Sequence, residues 1–172
     1  MLVRLLVAAG MIAALVTVSA PASAEPIRSG RYRVFWEPLP STPILPQPTD
    51  VSLPRHGADD TLDVHQWEFV AIDYRPAGPV FQMRNAASRL CLRPGRQPAD
   101  SAPARQDVCG ISDTETWTVS PADGNYRLTL AADHRIALYG SATGASAPTA
   151  LVGPVDNRSV ARWILKPLST RP

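Results

Sequence analysis

The side chains with the most distinctive chemistry in this chain are two cysteines, Cys91 and Cys109, and three histidines. An even number of cysteines in an exported protein predicts one disulfide, which would stabilise the fold by about 3 kcal/mol. Two buried free thiols, or half of a metal site, are the alternatives. The histidines have no ligand-like spacing to either cysteine, so we expect no metal site and no cofactor; they are His56, His65 and His134.

No recognisable catalytic motif accompanies these residues. The sequence has no G-x-S-x-G nucleophile elbow, no phosphate-binding loop and no dinucleotide fingerprint. An acidic cluster of Asp59, Asp60 and Asp63 lies beside His56 and His65. We interpret it as a solvated turn, with a weak cation site as the alternative. The sequence therefore predicts a protein that is not an enzyme.

The charge balance gives no reason to expect nucleic acid or an anionic membrane as a partner. Seventeen basic residues oppose 15 acidic ones, for a net charge of +2 at pH 7. Binding to either polyanion normally shows as a marked excess of basic residues. Partners of other kinds, a glycan or a protein, remain open at this point.

The first 24 residues have the plan of a secretory signal peptide. Arg4 precedes an apolar stretch from Leu5 to Val18, and the small residues Ala22-Ser23-Ala24 form a cleavage site. A membrane anchor is the alternative, but this stretch is shorter than the roughly 20 residues that span a bilayer. Cleavage would leave residues 25–172 as one secreted, extracellular domain without a membrane span.

Internal repetition organises the rest of the chain. An aromatic residue at the start of an alternating apolar segment is followed by a tryptophan 35, 36 or 37 residues later. Such self-similarity predicts three repeated supersecondary units, at about 30–74, 79–121 and 124–167, with each tryptophan in the core. The three pairs are Tyr32 and Trp67, Phe81 and Trp117, and Tyr126 and Trp163.

Composition and local pattern favour strands in these units. Eighteen prolines and ten glycines argue against long helices, and turn-forming runs at 75–79 and 121–125 separate the units. Closing three roughly four-stranded units around a pseudo-threefold axis would leave no open sheet edges. Only the proline-rich segment Pro38–Pro54 departs from this pattern, and we interpret it as a long irregular loop or a partly extended edge segment.

Residues of the middle unit carry a family resemblance. Phe81 starts its first strand, Asn85 and Ser88 mark the next turn, Cys91-Leu92 opens the second strand, and Cys109 precedes Glu115-Thr116-Trp117. This arrangement resembles one subdomain of a ricin-type β-trefoil lectin, in which the last tripeptide is Gln-x-Trp. The resemblance implies an all-β fold, a β-trefoil of three pseudo-repeated four-stranded units.

The resemblance also locates candidate ligand-binding residues. Sugar sites of that family use an Asp after the Cys-Leu pair, an aromatic residue two positions before the second Cys, and polar residues before the Trp. Here these positions hold Arg93, Asp107, and Thr114 with Glu115. A site between the two cysteine-bearing segments would use Arg93, Asp107 and Glu115, with Asp107 accepting hydrogen bonds from hydroxyl groups. A solvent-exposed Arg93–Asp107 salt bridge without function is the alternative.

The outer units depart further from the family pattern. No unit supplies both a carboxylate and a flat aromatic face at the expected places, so the resemblance implies degenerate sugar sites. The corresponding positions hold Val64 and His65 in the first unit, and Tyr139, Val160 and Ala161 in the third.

The resemblance implies a secreted, monomeric, non-catalytic carbohydrate-binding module whose partner is a glycan. The alternative is a protein-binding β-trefoil with a protein target. Such a protein could be a peptidase inhibitor that displays an arginine in the Pro54-Arg55 or Arg93-Pro94 loop, because rigid loops bind at a low ordering cost. It could also be the delivery subunit of a multi-chain toxin.

Overall fold

The computed structural model describes residues 24–38, 40, 43–46, 51–52, 63–95, 102–141, 149–154 and 161–168. In these ranges the chain forms thirteen β-strands and a short 3₁₀ helix, η1, and no α-helix. The prediction of an all-β fold is therefore confirmed. The elements are β1 (Gly30–Trp36), β2 (Leu45–Pro46), β3 (Val51–Ser52), η1 (Asp63–His65), β4 (Gln66–Arg75), β5 (Gly78–Asn85), β6 (Cys91–Arg93), β7 (Ala102–Pro103), β8 (Arg105–Asp107), β9 (Trp117–Ala122), β10 (Asn125–Leu130), β11 (Ile136–Ser141), β12 (Thr149–Pro154) and β13 (Trp163–Pro167).

Six of the strands close into an antiparallel barrel. Strand β1 pairs with β4, β4 with β5, and β5 with β9. Strand β9 then pairs with β10, β10 with β13, and β13 with β1 again. Because the ring is closed, each of these strands has a partner on both sides and no barrel edge is left open.

The shorter strands form hairpins outside this ring. Strand β2 pairs with β3, β6 with β8, and β11 with β12. Strand β12 also pairs with β3 and with β7, which joins the first and second hairpin regions to the third. The β6–β8 hairpin carries the candidate site described below.

The three tryptophans fill the core, as predicted. Each begins or nearly begins a barrel strand, and the side chains of all three are fully buried. Each indole Nε1–H also donates a hydrogen bond to a backbone carbonyl 23 to 25 residues earlier in the chain. The bonds are Trp67 to Ile44 at 3.3 Å, Trp117 to Leu92 at 2.9 Å and Trp163 to Leu138 at 2.9 Å.

Both turn-forming runs noted in the sequence are hairpin turns. Pro76 and Ala77 connect β4 to β5, and Asp123 and Gly124 connect β9 to β10. Asp123 has φ 49° and Gly124 φ 80°, the left-handed values that a two-residue hairpin turn requires. Glycine and aspartate tolerate this region better than most residues, which explains the Asp-Gly pair at this place.

Part of the proline-rich segment is paired. Pro43 forms an isolated bridge with Phe35, and the described residues beyond it form β2 and β3. Of the two interpretations of Pro38–Pro54, the partly extended one therefore fits residues 43–46 and 51–52. The other residues between 39 and 50, and Pro54, lie outside the described part of the chain, except Pro40.

Residues 1–23 lie outside the described ranges, so the signal peptide stays a prediction. Within the ranges that are described, no helix has the length and apolar character needed to cross a bilayer.

Candidate functional site

A disulfide anchors the candidate site. Cys91 is bonded to Cys109, and their Cα atoms are 4.9 Å apart, within the limit of about 7 Å for a bridge. The predicted disulfide is confirmed, and neither free thiols nor a metal ligand role remains for these two cysteines. The bridge ties the start of β6 to the segment that follows β8.

The β6–β8 pairing places three charged side chains on one face. Arg93 lies opposite Arg105, and Cys91 lies opposite Asp107. Successive side chains of a strand point to opposite faces, so Leu92 enters the core while Cys91, which is buried, and Arg93, which is half-buried, lie on the other face. Arg93, Arg105 and Asp107 therefore share the face that also carries the disulfide.

These side chains form one cluster of charges. Asp107 Oδ2 lies 3.9 Å from Arg93 Nη1 and 3.7 Å from Arg105 Nη2. Arg93 also pairs directly with the Glu115 carboxylate and donates a 3.0 Å hydrogen bond from Nη1 to the Val108 carbonyl. The structure thus brings together all three predicted residues, and adds Arg105. The alternation of β8 could have revealed Arg105, since it lies two residues before Asp107.

Glu115 holds Arg93 in a fixed position. The side chains of this pair are 19% (Arg93) and 23% (Glu115) exposed, so both charges are largely removed from water. The Glu115 carboxylate also packs so closely on Gly110 that a β-carbon at position 110 would overlap it. Removing one partner of such a pair would leave a poorly solvated charge, so Glu115 acts here as a positioning residue for Arg93.

Asp107 is the most exposed acid of the cluster and has acceptor capacity left. Its Oδ1 accepts a 2.8 Å hydrogen bond from the Val108 N–H. Its Oδ2 is farther from both guanidinium groups than a hydrogen bond allows. A hydroxyl group that donates to Oδ2 and accepts from Arg105 fits that separation, because one bridging oxygen can reach both atoms. The cluster therefore offers an acceptor flanked by two donors, which suits a polyol.

The turn residues that carry the family resemblance have structural roles. Asn85 is fully buried, and its Nδ2 donates to the carbonyls of Val64 and Gln66 at 2.8 and 3.2 Å. Its Oδ1 accepts from the N–H groups of Ala87 and Ser88, both at 3.1 Å. Asn85 thus shapes the turn that leads into β6 and does not face a ligand.

The segment that carries Glu115 is fixed from the other side by an arginine. Arg75, at the end of β4, donates to both carboxylate oxygens of Asp113 at 2.7 and 2.9 Å, and to Asp73 at 2.8 Å. These hydrogen bonds from Arg75 lower the pKa of Asp113 and of Asp73 below their ordinary values. The bidentate pair joins the β4–β5 hairpin to residues 111–116.

The acidic cluster of the sequence is only partly described. Asp63 is exposed on η1, but His65 at the end of the same helix is buried and therefore does not belong to a solvated turn. His56, Asp59 and Asp60 lie outside the described residues. Among those that are described, no three His, Cys, Asp or Glu side chains are grouped as metal ligands would be.

Of the two arginine loops predicted for a peptidase inhibitor, only the one at Arg93-Pro94 lies in the described part of the chain, and its contacts do not support that role. Arg93 is held by Glu115 and by the Val108 carbonyl, and Pro94 beside it is buried. A side chain in that position is not displayed for a peptidase pocket. Pro54 and Arg55 lie outside the described residues. In the outer units, Ala161 is buried and Tyr139 is half-buried, while Val160 also lies outside the description.

Comparison with known proteins gives one family match. Residues 63–153 match the family described as ricin-type beta-trefoil lectin domain-like, which is more than half of the chain. No curated protein matches the sequence.

Similar solved structures include toxins and a lectin. A mosquitocidal holotoxin is 17% identical with a TM-score of 0.65, over 83% of this chain and 17% of that chain. The Polyporus squamosus lectin, bound to a human-type influenza-binding epitope, is 14% identical with a TM-score of 0.65, over 81% of this chain and 49% of its own. The Haemophilus ducreyi cytolethal distending toxin is 11% identical with a TM-score of 0.63, over 83% of this chain and 87% of that chain. This chain thus spans only a part of the first two proteins, and likeness at these identities shows a shared fold.

Proposed function

Since this chain belongs to the ricin-type beta-trefoil lectin domain-like family, we propose that it is a secreted, non-catalytic module that binds glycans. Its sugar sites depart from the family pattern, and of the three family positions the one in the middle unit functions. Secretion rests on the signal-like residues 1–24, and on the disulfide, which persists in oxidising compartments.

The arrangement of Asp107 with two arginines carries this proposal. A sugar hydroxyl both donates and accepts hydrogen bonds, so a carboxylate oxygen beside guanidinium N–H groups satisfies both of its needs. Asp107 Oδ2 lies 3.7 and 3.9 Å from those groups, which leaves room for one hydroxyl oxygen to contact both sides. The disulfide and Glu115 hold the surrounding atoms in place, which lowers the ordering cost of binding.

The proposal includes three pseudo-repeated four-stranded units that form a monomer, at about 30–74, 79–121 and 124–167. The three matching indole-to-carbonyl hydrogen bonds support this division, because each joins the last strand of a unit to that unit's second strand or the residue next to it.

A glycan array with matched variants tests the proposal. The double variant Asp107→Asn with Arg105→Gln keeps the net charge of the protein, and it replaces the charged acceptor and one charged donor of the cluster by neutral amides. We expect bound glycans to be lost or weakened at least tenfold in this variant, while Asp123→Asn in the exposed β9–β10 turn leaves binding unchanged. If the unmodified protein binds no glycan at high micromolar concentration, the proposed function is wrong.

A delivery subunit of a multi-chain toxin is the second candidate. The match that covers 83% of this chain and 87% of a Haemophilus ducreyi toxin chain favours it. Sedimentation of the protein taken directly from its native culture medium tests this candidate. A stable complex larger than a monomer, with a second polypeptide, supports it, and a monomer in that medium contradicts it.

A further inference from the structure

A cavity lies at one end of the barrel, and none of its lining residues belongs to the middle-unit cluster. Its volume is about 670 Å³, within the range of sites for small ligands. Strands β1, β10 and β13 supply one wall through Tyr32, Tyr126 and Leu165. The segment that precedes β1 supplies the other wall through Glu25, Ile27 and Arg28.

Side chains of the barrel hold this segment in place. Tyr126 donates a 2.8 Å hydrogen bond from its hydroxyl to the Glu25 carbonyl. Tyr32 donates a 3.0 Å bond from its hydroxyl to the Arg28 carbonyl. Ala71 N–H donates to Ser29 Oγ at 3.1 Å. Three separate contacts thus fix the wall, so that the cavity does not depend on the chance position of a free terminus.

The two tyrosines that tether the segment also line the cavity. Tyr32 is buried, packed edge-to-face on Phe69 with ring centres 5.0 Å apart, while Tyr126 is half-buried. Burial raises the pKa of Tyr126, with smaller contributions from Tyr32 and Glu25. The Tyr126 hydroxyl therefore remains a neutral donor at physiological pH.

The remaining lining gives the cavity a polar rim on an apolar floor. Ile27 and Leu165 pack with the core, whereas Glu25 and Arg28 line the cavity and are exposed. Sugar binding in this family needs a carboxylate that accepts hydrogen bonds from hydroxyl groups and a flat ring that contacts the apolar face of the sugar. No single unit of the sequence supplies both. Here Glu25 and Tyr126, which are 101 positions apart, both line one cavity, and the Tyr126 hydroxyl donates to the backbone carbonyl of Glu25.

We propose that this barrel-end cavity is a second saccharide site, with Tyr126 as the stacking platform and Glu25 and Arg28 as hydroxyl ligands. The choice of a saccharide rests on the proposed function, whereas the place and the residues rest on the cavity itself. The site is separate from the Asp107 cluster, so the two can be tested against each other.

Two charge-neutral double variants separate the sites. Glu25→Gln with Arg28→Gln alters the barrel end, and Asp107→Asn with Arg105→Gln alters the middle unit. All four positions are at the surface or only partly buried, and equal melting temperatures establish that both variants fold. We expect at least one glycan on an array to be lost or weakened tenfold in the barrel-end variant and retained in the middle-unit variant.

The other outcomes assign failure to one proposal or the other. If every bound glycan is retained by the barrel-end variant, the cavity is not a saccharide site, and the proposed function stands. If the barrel-end variant loses all glycan binding and the middle-unit variant loses none, the cavity is the glycan site and the Asp107 cluster is not. If the unmodified protein binds no glycan, both proposals are wrong. Amide chemical shifts of Ile27 and Arg28 that move on titration with a bound glycan would place it directly in the cavity.

Discussion

Trp117 stabilises the fold through both its ring and its indole N–H group. The ring is fully buried, and Nε1 donates a 2.9 Å hydrogen bond to the Leu92 carbonyl in β6, next to the disulfide. We predict that Trp117→Ala is the costliest single substitution. The expected loss in the free energy of unfolding is about 3–5 kcal/mol, because a large cavity forms and a buried carbonyl loses its partner.

Urea unfolding of Trp117→Ala measures this loss. Tyr74→Ala is the matched control, since this aromatic side chain is 79% exposed and its removal should change little. An unchanged midpoint for Trp117→Ala would contradict the role assigned to this side chain.

Glu68 makes the free energy of unfolding depend on pH in the acidic range. Hydrogen bonds from Arg84, at 2.6 and 3.0 Å, are the main cause that lowers the pKa of Glu68 below its ordinary value of 4.5. A carboxyl group with a lowered pKa in the folded state stabilises it above the unfolded pKa, and this contribution is lost as the pH falls through the folded pKa. We predict that Glu68→Gln is less stable than the unmodified protein by up to about 1 kcal/mol at pH 7.

The same difference should shrink as the pH falls below about 4.5, where the unfolded chain takes up the proton, and it should vanish once the pH also falls below the lowered pKa of Glu68 in the folded protein. Unfolding midpoints of the two proteins, measured between pH 7 and pH 2.5, give the difference in stability at pH 7 and its change at low pH. A difference that stays constant over this range would mean that ionisation of Glu68 is not its cause. Asp123→Asn, in the exposed hairpin turn, controls for the removal of one acidic charge.

At the scale of elements, the disulfide joins β6 to the segment after β8. Its two cysteines are 18 residues apart, and closing a loop of this size stabilises the fold by about 3 kcal/mol, mainly by restricting the unfolded chain. We predict that the double variant Cys91→Ala with Cys109→Ala loses about this amount in urea unfolding. Cys91→Ala alone should lose a similar amount and expose one thiol to labelling. If both cysteines of the unreduced native protein react with a thiol reagent, the bridge is absent in solution.

At the scale of the whole molecule, β13 closes the barrel between the first and the last parts of the chain. It pairs with β1 from Trp36–Trp163 to Tyr32–Pro167, and with β10 at Tyr126. We predict that removal of residues 162–172 abolishes cooperative unfolding, because it opens two strand edges and removes the buried Trp163. Urea unfolding followed by tryptophan fluorescence and by circular dichroism measures cooperativity.

A circular permutant serves as the control for this truncation. The start of β1 and the residue after β13 lie side by side, since Leu168 N–H donates a 2.9 Å hydrogen bond to the Arg31 carbonyl. A permutant that joins the two chain termini and opens the chain in the exposed turn between Pro76 and Ala77 keeps every strand of the barrel and every strand pairing. The permutant should unfold cooperatively, and a truncated chain that does so as well would contradict the role given to barrel closure.

The sequence by itself determined the strand-rich class, the buried tryptophans, the hairpin turns and the disulfide. Each depends on spacing along the chain: the aromatic-to-tryptophan interval repeats, Asp123-Gly124 fits a two-residue turn, and the chain has two cysteines to pair. Local backbone preference and alternation report such features without knowledge of the fold. The resemblance to the ricin-type family selected Arg93, Asp107 and Glu115, because they occupy that family's sugar-site positions relative to the cysteines and Trp117.

Only the tertiary structure decided how these charges are distributed and where a cavity forms. Glu115 and Asp107 both compete for Arg93, and Arg105 joins them because β6 and β8 pair in one particular register. The barrel-end cavity depends on the Tyr126–Glu25 contact across 101 residues. A pattern read along the chain cannot report such a contact, because which distant segments meet is set by barrel closure and by the packing of the whole core.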